Sequence, residues 1–173
     1  MNGTVLDILI YVFDRYMLDE TPDVPEREAL ARDLESAGFT EANVERALDW
    51  LADLAGERNR PQLTAHGADG HAVGEPADHA APAAAMRIYT VQEMTRLTVD
   101  CRGLLLSLEQ AGILSPPQRE IVIERLLALD AEDFDLEQVK WVVLMVLSSQ
   151  PGQEQACARM EDLVFDSPEA VAH

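Results

Sequence analysis

Positive charge is scarce in this chain of 173 residues. It holds 13 Lys and Arg against 32 Asp and Glu, a formal net charge of −19, and Lys140 is its single lysine. Duplex DNA is bound largely by Lys and Arg neutralising phosphates, so this balance excludes ordinary DNA binding. It equally opposes adhesion to an anionic membrane surface. Cysteine is nearly absent: Cys101 and Cys157 lie far apart and form no Cys-x-x-Cys pair. A disulfide framework is therefore not expected, and a reducing compartment fits. The longest unbroken apolar run, residues 141–147, falls far short of the roughly 20 residues a membrane span needs. No basic region precedes the first apolar stretch, so that stretch does not read as a secretory signal. Together these absences predict a soluble cytoplasmic chain with no membrane partner.

Catalytic motifs are missing too. There is no Gly-x-Ser-x-Gly, no phosphate-cradling glycine loop and no His-Glu-x-x-His. Neither a catalytic residue nor a cofactor is predicted, and the chain is not expected to be an enzyme. His66, His71 and His79 sit among Asp69, Glu75 and Asp78 in an Ala/Gly-rich stretch. Structural metal sites use tight ligand pairs on rigid turns, so no metal is expected there.

What is present is helical pattern. Apolar residues make up 47% of the chain, enough for a core without staples. Val5, Leu6, Ile8, Leu9, Val12, Phe13, Tyr16 and Met17 recur at helical spacing and predict a first helix over residues 3–19. Pro25 suits the first position of a second helix reaching Ala37, and Gly38 its left-handed cap, with Phe39 folding back on Leu34. Thr40 then starts a third helix ending at Gly56, with Val44, Ala47, Leu48, Leu51 and Leu54 on one face. These two helices have helix-turn-helix spacing. The outward side of the third, Glu41, Asn43, Glu45, Arg46, Asp49 and Asp53, carries four acids against one base and would repel phosphate.

Residues 56–85 show no sustained apolar period and read as a flexible Ala/Gly/Pro/His linker. Residues 86–91 have β character. They read either as one arm of a two-stranded ribbon with residues 62–64, or as an extended segment lying on helices. Four or five helices follow. Thr90 caps a short one and Thr98 the next, which ends at Gly112 as the second helix ends at Gly38. Ser115-Pro116-Pro117-Gln118 starts another, and Asp135 with Gln138 makes a capping box for a nearly all-apolar core helix running to about Ser149. A final helix covers residues 153–165. The expected fold is all-α: seven or eight helices in two parts, 1–55 and 86–173, joined by the linker, with at most a minor β ribbon beside it. The acidic surplus is spread over both parts.

These segments resemble the bacterial Smg family. The resemblance rests on Leu6-Asp7 through Phe13, Ala37-Gly38-Phe39, Ala47-Leu48-Asp49-Trp50-Leu51 and Met86-Arg87-Ile88-Tyr89-Thr90. It continues in Cys101-Arg102-Gly103, Leu108-Glu109-Gln110, the stretch from Glu120 to Asp130, Lys140-Trp141-Val142-Val143-Leu144-Met145-Val146-Leu147 and Pro151-Gly152. It covers nearly all of the chain outside the linker. It implies a compact bacterial cytoplasmic protein of unknown biochemical function. The family's name reflects a gene position beside a DNA-processing factor, a link to DNA processing by neighbourhood alone.

Two kinds of function remain. The first is a non-enzymatic interaction or regulatory protein with an unidentified protein partner. Its candidate partner-binding residues are Arg87, Tyr89, Arg102 and Lys140, since cations are rare here and these lie in or beside the matched segments. The bland alternative is that these cations pair internally with carboxylates. The second is acidic mimicry of nucleic acid, regulating a basic DNA- or RNA-binding protein. An enzyme with an unrecognised site comes third.

Overall fold

The computed structural model describes residues 3–16, 25–59 and 87–165. Eight α-helices lie among them: α1 (Val5–Tyr16), α2 (Arg27–Ser36), α3 (Glu41–Asn59), α4 (Val91–Arg96), α5 (Val99–Gln110), α6 (Pro116–Leu127), α7 (Leu136–Ser148) and α8 (Glu154–Phe165). The protein is all-α, as its periodicity and capping residues predict.

Local chemistry sets most boundaries. Thr90 with Glu93, Ser115 with Gln118 and Asp135 with Gln138 form reciprocal capping boxes, while the Thr98 side chain accepts the Cys101 N–H. Each satisfies backbone donors that a helix start leaves open. Gly38 (φ 100°) and Gly112 (φ 71°) close α2 and α5 in the same way. Phe39 N–H donates to the Leu34 carbonyl and Gly38 N–H to that of Glu35; Ile113 and Gly112 repeat this on Leu108 and Glu109. These are the paired bonds of a Schellman ending.

Two helix bounds are corrected. Pro25 is not the first helical residue: Glu26 is the N-cap, without a side-chain cap bond, and α2 begins at Arg27. Proline's fixed φ suits the extended approach to a helix as well as its first turn. Gly56 does not end α3, which continues to Asn59 in ordinary helical geometry. Of the two readings of residues 86–91, the ribbon does not form at 87–90, which lie against helices and lead through Thr90 straight into α4. No strand occurs among the described residues, only one isolated parallel bridge between Leu97 and Phe134. Met86, residues 62–64 and the linker histidines lie outside the described residues.

Helix α7 is the hub. Val139, Val142, Val143, Leu144, Met145, Val146 and Leu147 are all buried. Burying such a side chain is worth about 2 kcal/mol. Helices α8, α6, α5 and α1 pack against α7, while α1 and α2 pack on α3. Residues from before and after the linker thus share one buried cluster. Trp50, only 4% exposed, is placed by this join, its indole N–H donating to the Arg125 carbonyl at 2.9 Å. Arg46 pairs with Asp130, Asp53 lies 3.5 Å from Arg125, and the Asn43 amide donates to the Gly3 carbonyl at 2.8 Å. Arg27 bonds Glu45 at 2.9 Å and Asp49 at 2.8 Å, so five of the six residues read as the outward side of α3 are engaged within the chain.

Candidate functional site around Tyr89 and Arg102

Three of the four candidate residues come together. The capping box anchors Glu93 at the start of α4, where its carboxylate takes the Thr90 N–H at 2.8 Å. Arg87, six residues earlier, reaches over to it with a forked pair of bonds, Nη1 to Oε2 at 2.9 Å and Nη2 to Oε1 at 2.8 Å. The same guanidinium donates to Glu120 on α6 from Nε at 2.7 Å and from Nη2 at 2.8 Å. Planar forked pairing of this kind is what distinguishes arginine from lysine. It ties the entry to α4 against α6.

Tyr89 lies between two arginines. The Arg87 guanidinium carbon is 4.6 Å from its ring centre and that of Arg102, on the first turn of α5, is 5.6 Å. Both are within cation–π range. Burial pushes the Tyr89 hydroxyl above its ordinary pKa, against the opposing pull of Arg87, Arg119 and Arg102. Tyr89 therefore stays a neutral aromatic platform. Arg119 is held by Glu109 and by Glu120, the latter at 3.0 Å.

Arg87 pulls the Glu93 carboxyl down to a pKa of about 2, outweighing the upward push of burial, and lowers that of Glu120 as well. Both carboxylates in turn raise Arg87. These acids are fixed structural anions. A general acid or base working near neutral pH needs the opposite tuning.

Lys140 does not join this group. It sits on α7 and bonds Glu137 at 2.7 Å, one turn back on its own helix. Internal pairing thus accounts for Arg87 and Lys140. It does not account for Arg102, whose Nε is shut off from solvent with no hydrogen-bond partner and which makes no ion pair among the described residues.

The surroundings were not foreseen from sequence. Ile88 (91% exposed), Val91, Met94, Val99 (73%) and Leu106 are five of the eight large apolar side chains exposed among the described residues. All five lie between residues 88 and 106. Val99, Arg102, Gly103 and Leu106 share one face of α5 by helical spacing. The signal was available: an amphipathic helix with apolar residues on two opposite sides has more apolar surface than its own core needs.

A family described as a protein of unknown function, DUF494, matches residues 5–173. A protein called Protein Smg homolog from Nitrosococcus oceani is 44% identical over the whole of both chains. Homologues of the same name from Alkalilimnicola ehrlichii and Thioalkalivibrio sulfidiphilus are 43% and 42% identical, again over both full lengths. The chain belongs to the Smg family. No solved structure matches it. The biochemical function of Smg proteins is unknown, so the site must be argued from its own chemistry.

Two further features bear on that argument. A cleft of about 600 Å³ opens between the N-termini of α5 and α7, lined by Asp100, Asp133, Asp135 and Glu137 among others. No cluster of His, Cys, Asp and Glu suited to a metal occurs among the described residues, nor does a helix long and apolar enough to cross a membrane.

Proposed function

We propose that this Smg protein is a non-enzymatic cytoplasmic interaction protein that receives a protein partner on the surface around Tyr89 and α5. The observation that carries this reading is that five of the eight large apolar side chains exposed among the described residues fall within residues 88–106, the segment that also carries Tyr89 with Arg102 over its ring. Exposed apolar groups gathered beside an aromatic and an arginine are the usual composition of a binding surface. Glu93 and Glu120, the acids that hold Arg87 beside this surface, are locked in ion pairs, which supports a binding role over a catalytic one. Purification of the tagged protein from its native host, at native abundance and under gentle lysis, tests the reading. A stoichiometric protein partner supports it; recovery of the chain alone contradicts it.

Acidic mimicry of nucleic acid is the second reading, favoured by the four acids lining the cleft between α5 and α7. It predicts that the protein displaces DNA or RNA from a basic binding protein of the host. Unchanged mobility of such complexes on titration would count against it.

A further inference from the structure

Arg102 is an exception in this molecule. Every other arginine whose side chain is described makes an ion pair or a hydrogen bond within the chain. Arg15, Arg27, Arg46, Arg87, Arg119 and Arg125 reach carboxylates, and Arg32, Arg96 and Arg159 reach backbone carbonyls. With acids outnumbering bases by 19, a partner for Arg102 would be easy to supply. Instead its guanidinium carbon lies 5.6 Å from the Tyr89 ring centre, and its buried Nε has no acceptor; Arg125 also has a buried Nε and Nη1 without a hydrogen bond, but it faces Asp53 and Glu124 as an ion pair. Leaving such a donor unsatisfied is unfavourable, whereas a carboxylate on the group's remaining N–H donors would form charge-assisted bonds.

Gly103 is the second anomaly. It lies inside α5, where glycine disfavours the helix relative to alanine. Its φ is not positive, and a Cβ built there would meet nothing within 4 Å. Nothing within the described residues requires a glycine. Gly56, also helical and open, lies near the end of α3, where a glycine disturbs the helix less. A glycine on an exposed helix face, flanked by Val99 and Leu106, lets a second backbone approach closely.

We propose that the α5 face formed by Val99, Arg102, Gly103 and Leu106, with Ile88 and Tyr89 beside it, binds a helix of a partner protein that presents apolar residues around one acidic side chain. The acid pairs with Arg102, the partner backbone crosses at Gly103, and the apolar side chains cover Val99 and Leu106. Charge complementarity selects this occupant: among the arginines whose side chains are described, Arg102 is the one that no carboxylate or carbonyl of the chain engages. This inference rests on the interaction reading above and specifies its geometry.

The test places a photo-crosslinking amino acid at Leu106 in the native host, with a control at Glu35 on α2, and maps the captured segment by mass spectrometry. The expected product is a crosslink from position 106 alone, to an apolar segment containing Asp or Glu. Arg102→Gln and Gly103→Gln should each lower its yield about tenfold or more, with circular dichroism and melting behaviour retained. Arg102→Glu combined with Arg in place of the partner's acid should restore it. Capture of a basic segment, of nucleic acid or of a second copy of this chain would overturn the proposal, as would yields indifferent to both substitutions. If a partner co-purifies but crosslinks elsewhere, the proposed face fails and the interaction reading survives. If no partner is recovered by either method, both fail.

Discussion

Replacing Glu93 by Gln isolates the ion pair on which the candidate site is built. Gln at this position can still accept the Thr90 N–H and preserve the capping box. What it loses is the charge facing Arg87. The carboxyl of Glu93 falls from an ordinary 4.5 to about 2 in the folded protein, with Arg87 the leading cause. At about 1.4 kcal/mol per pH unit, that difference corresponds to about 3 kcal/mol of stability at pH 7. The side chain is only 11% exposed, so solvent screening removes little of it. The sign follows from the direction of the shift. A carboxylate whose folded pKa is depressed contributes fully above its unfolded value and loses the contribution as pH falls through the folded value. The wild type should therefore exceed Glu93→Gln by about 2–3 kcal/mol at pH 7. The gap should be about half lost by pH 3 and close near pH 2, where Glu93 is itself becoming neutral. Urea unfolding at pH 7, 5, 4 and 3 measures the gap directly. A gap that stays constant with pH, or no destabilisation at pH 7, would refute the assignment of Glu93 as the anion that anchors Arg87.

Two glycines should respond in opposite directions to alanine. Gly38→Ala places a side chain at φ 100° and should cost about 1 kcal/mol, whereas Gly103→Ala should stabilise by about 0.5–1 kcal/mol, both read from unfolding midpoints. Arg96 donates to the carbonyls of Leu127, Leu129 and Ala131 at the end of α6, so Arg96→Met should cost about 2–4 kcal/mol in the same assay. Both thiols should be slow toward a thiol-specific disulfide reagent at pH 8 until denaturant is added. Cys101 is fully buried, with Sγ–H donating to the Phe134 carbonyl, and Cys157 is pushed up to about 11, by burial first and then by Glu161 and Glu154, which lowers its thiolate fraction about a hundredfold.

The capping residues explain why so much of the fold could be read in advance. Thr90, Thr98, Ser115 and Asp135 act within three residues of themselves, and Gly38 and Gly112 act through their own φ. Such interactions are written in adjacent sequence. Arg96 was not foreseen as a clamp because its three acceptors lie 31 to 35 residues away and converge only once α4 docks beside the end of α6. The β character of residues 86–91 left two readings open for a related reason. Arg87 and Tyr89 are extended because Glu93, Glu120 and Arg102 hold them, and no ladder is involved. The sequence singled out Arg87, Tyr89 and Arg102 through their scarcity and their place in or beside the matched segments. It could not tell which of the scarce cations was matched internally. Lys140 and Arg87 are, and Arg102 is not, a distinction that depends on side-chain positions from α4, α5 and α6 together.

Quantitative affinity purification from the native host tests the central claim most directly, comparing wild type with Arg102→Gln at equal abundance. The account predicts a protein partner with the wild type and about tenfold less of it with Arg102→Gln, at unchanged melting temperature. Equal recovery of the same partner by both chains would contradict it.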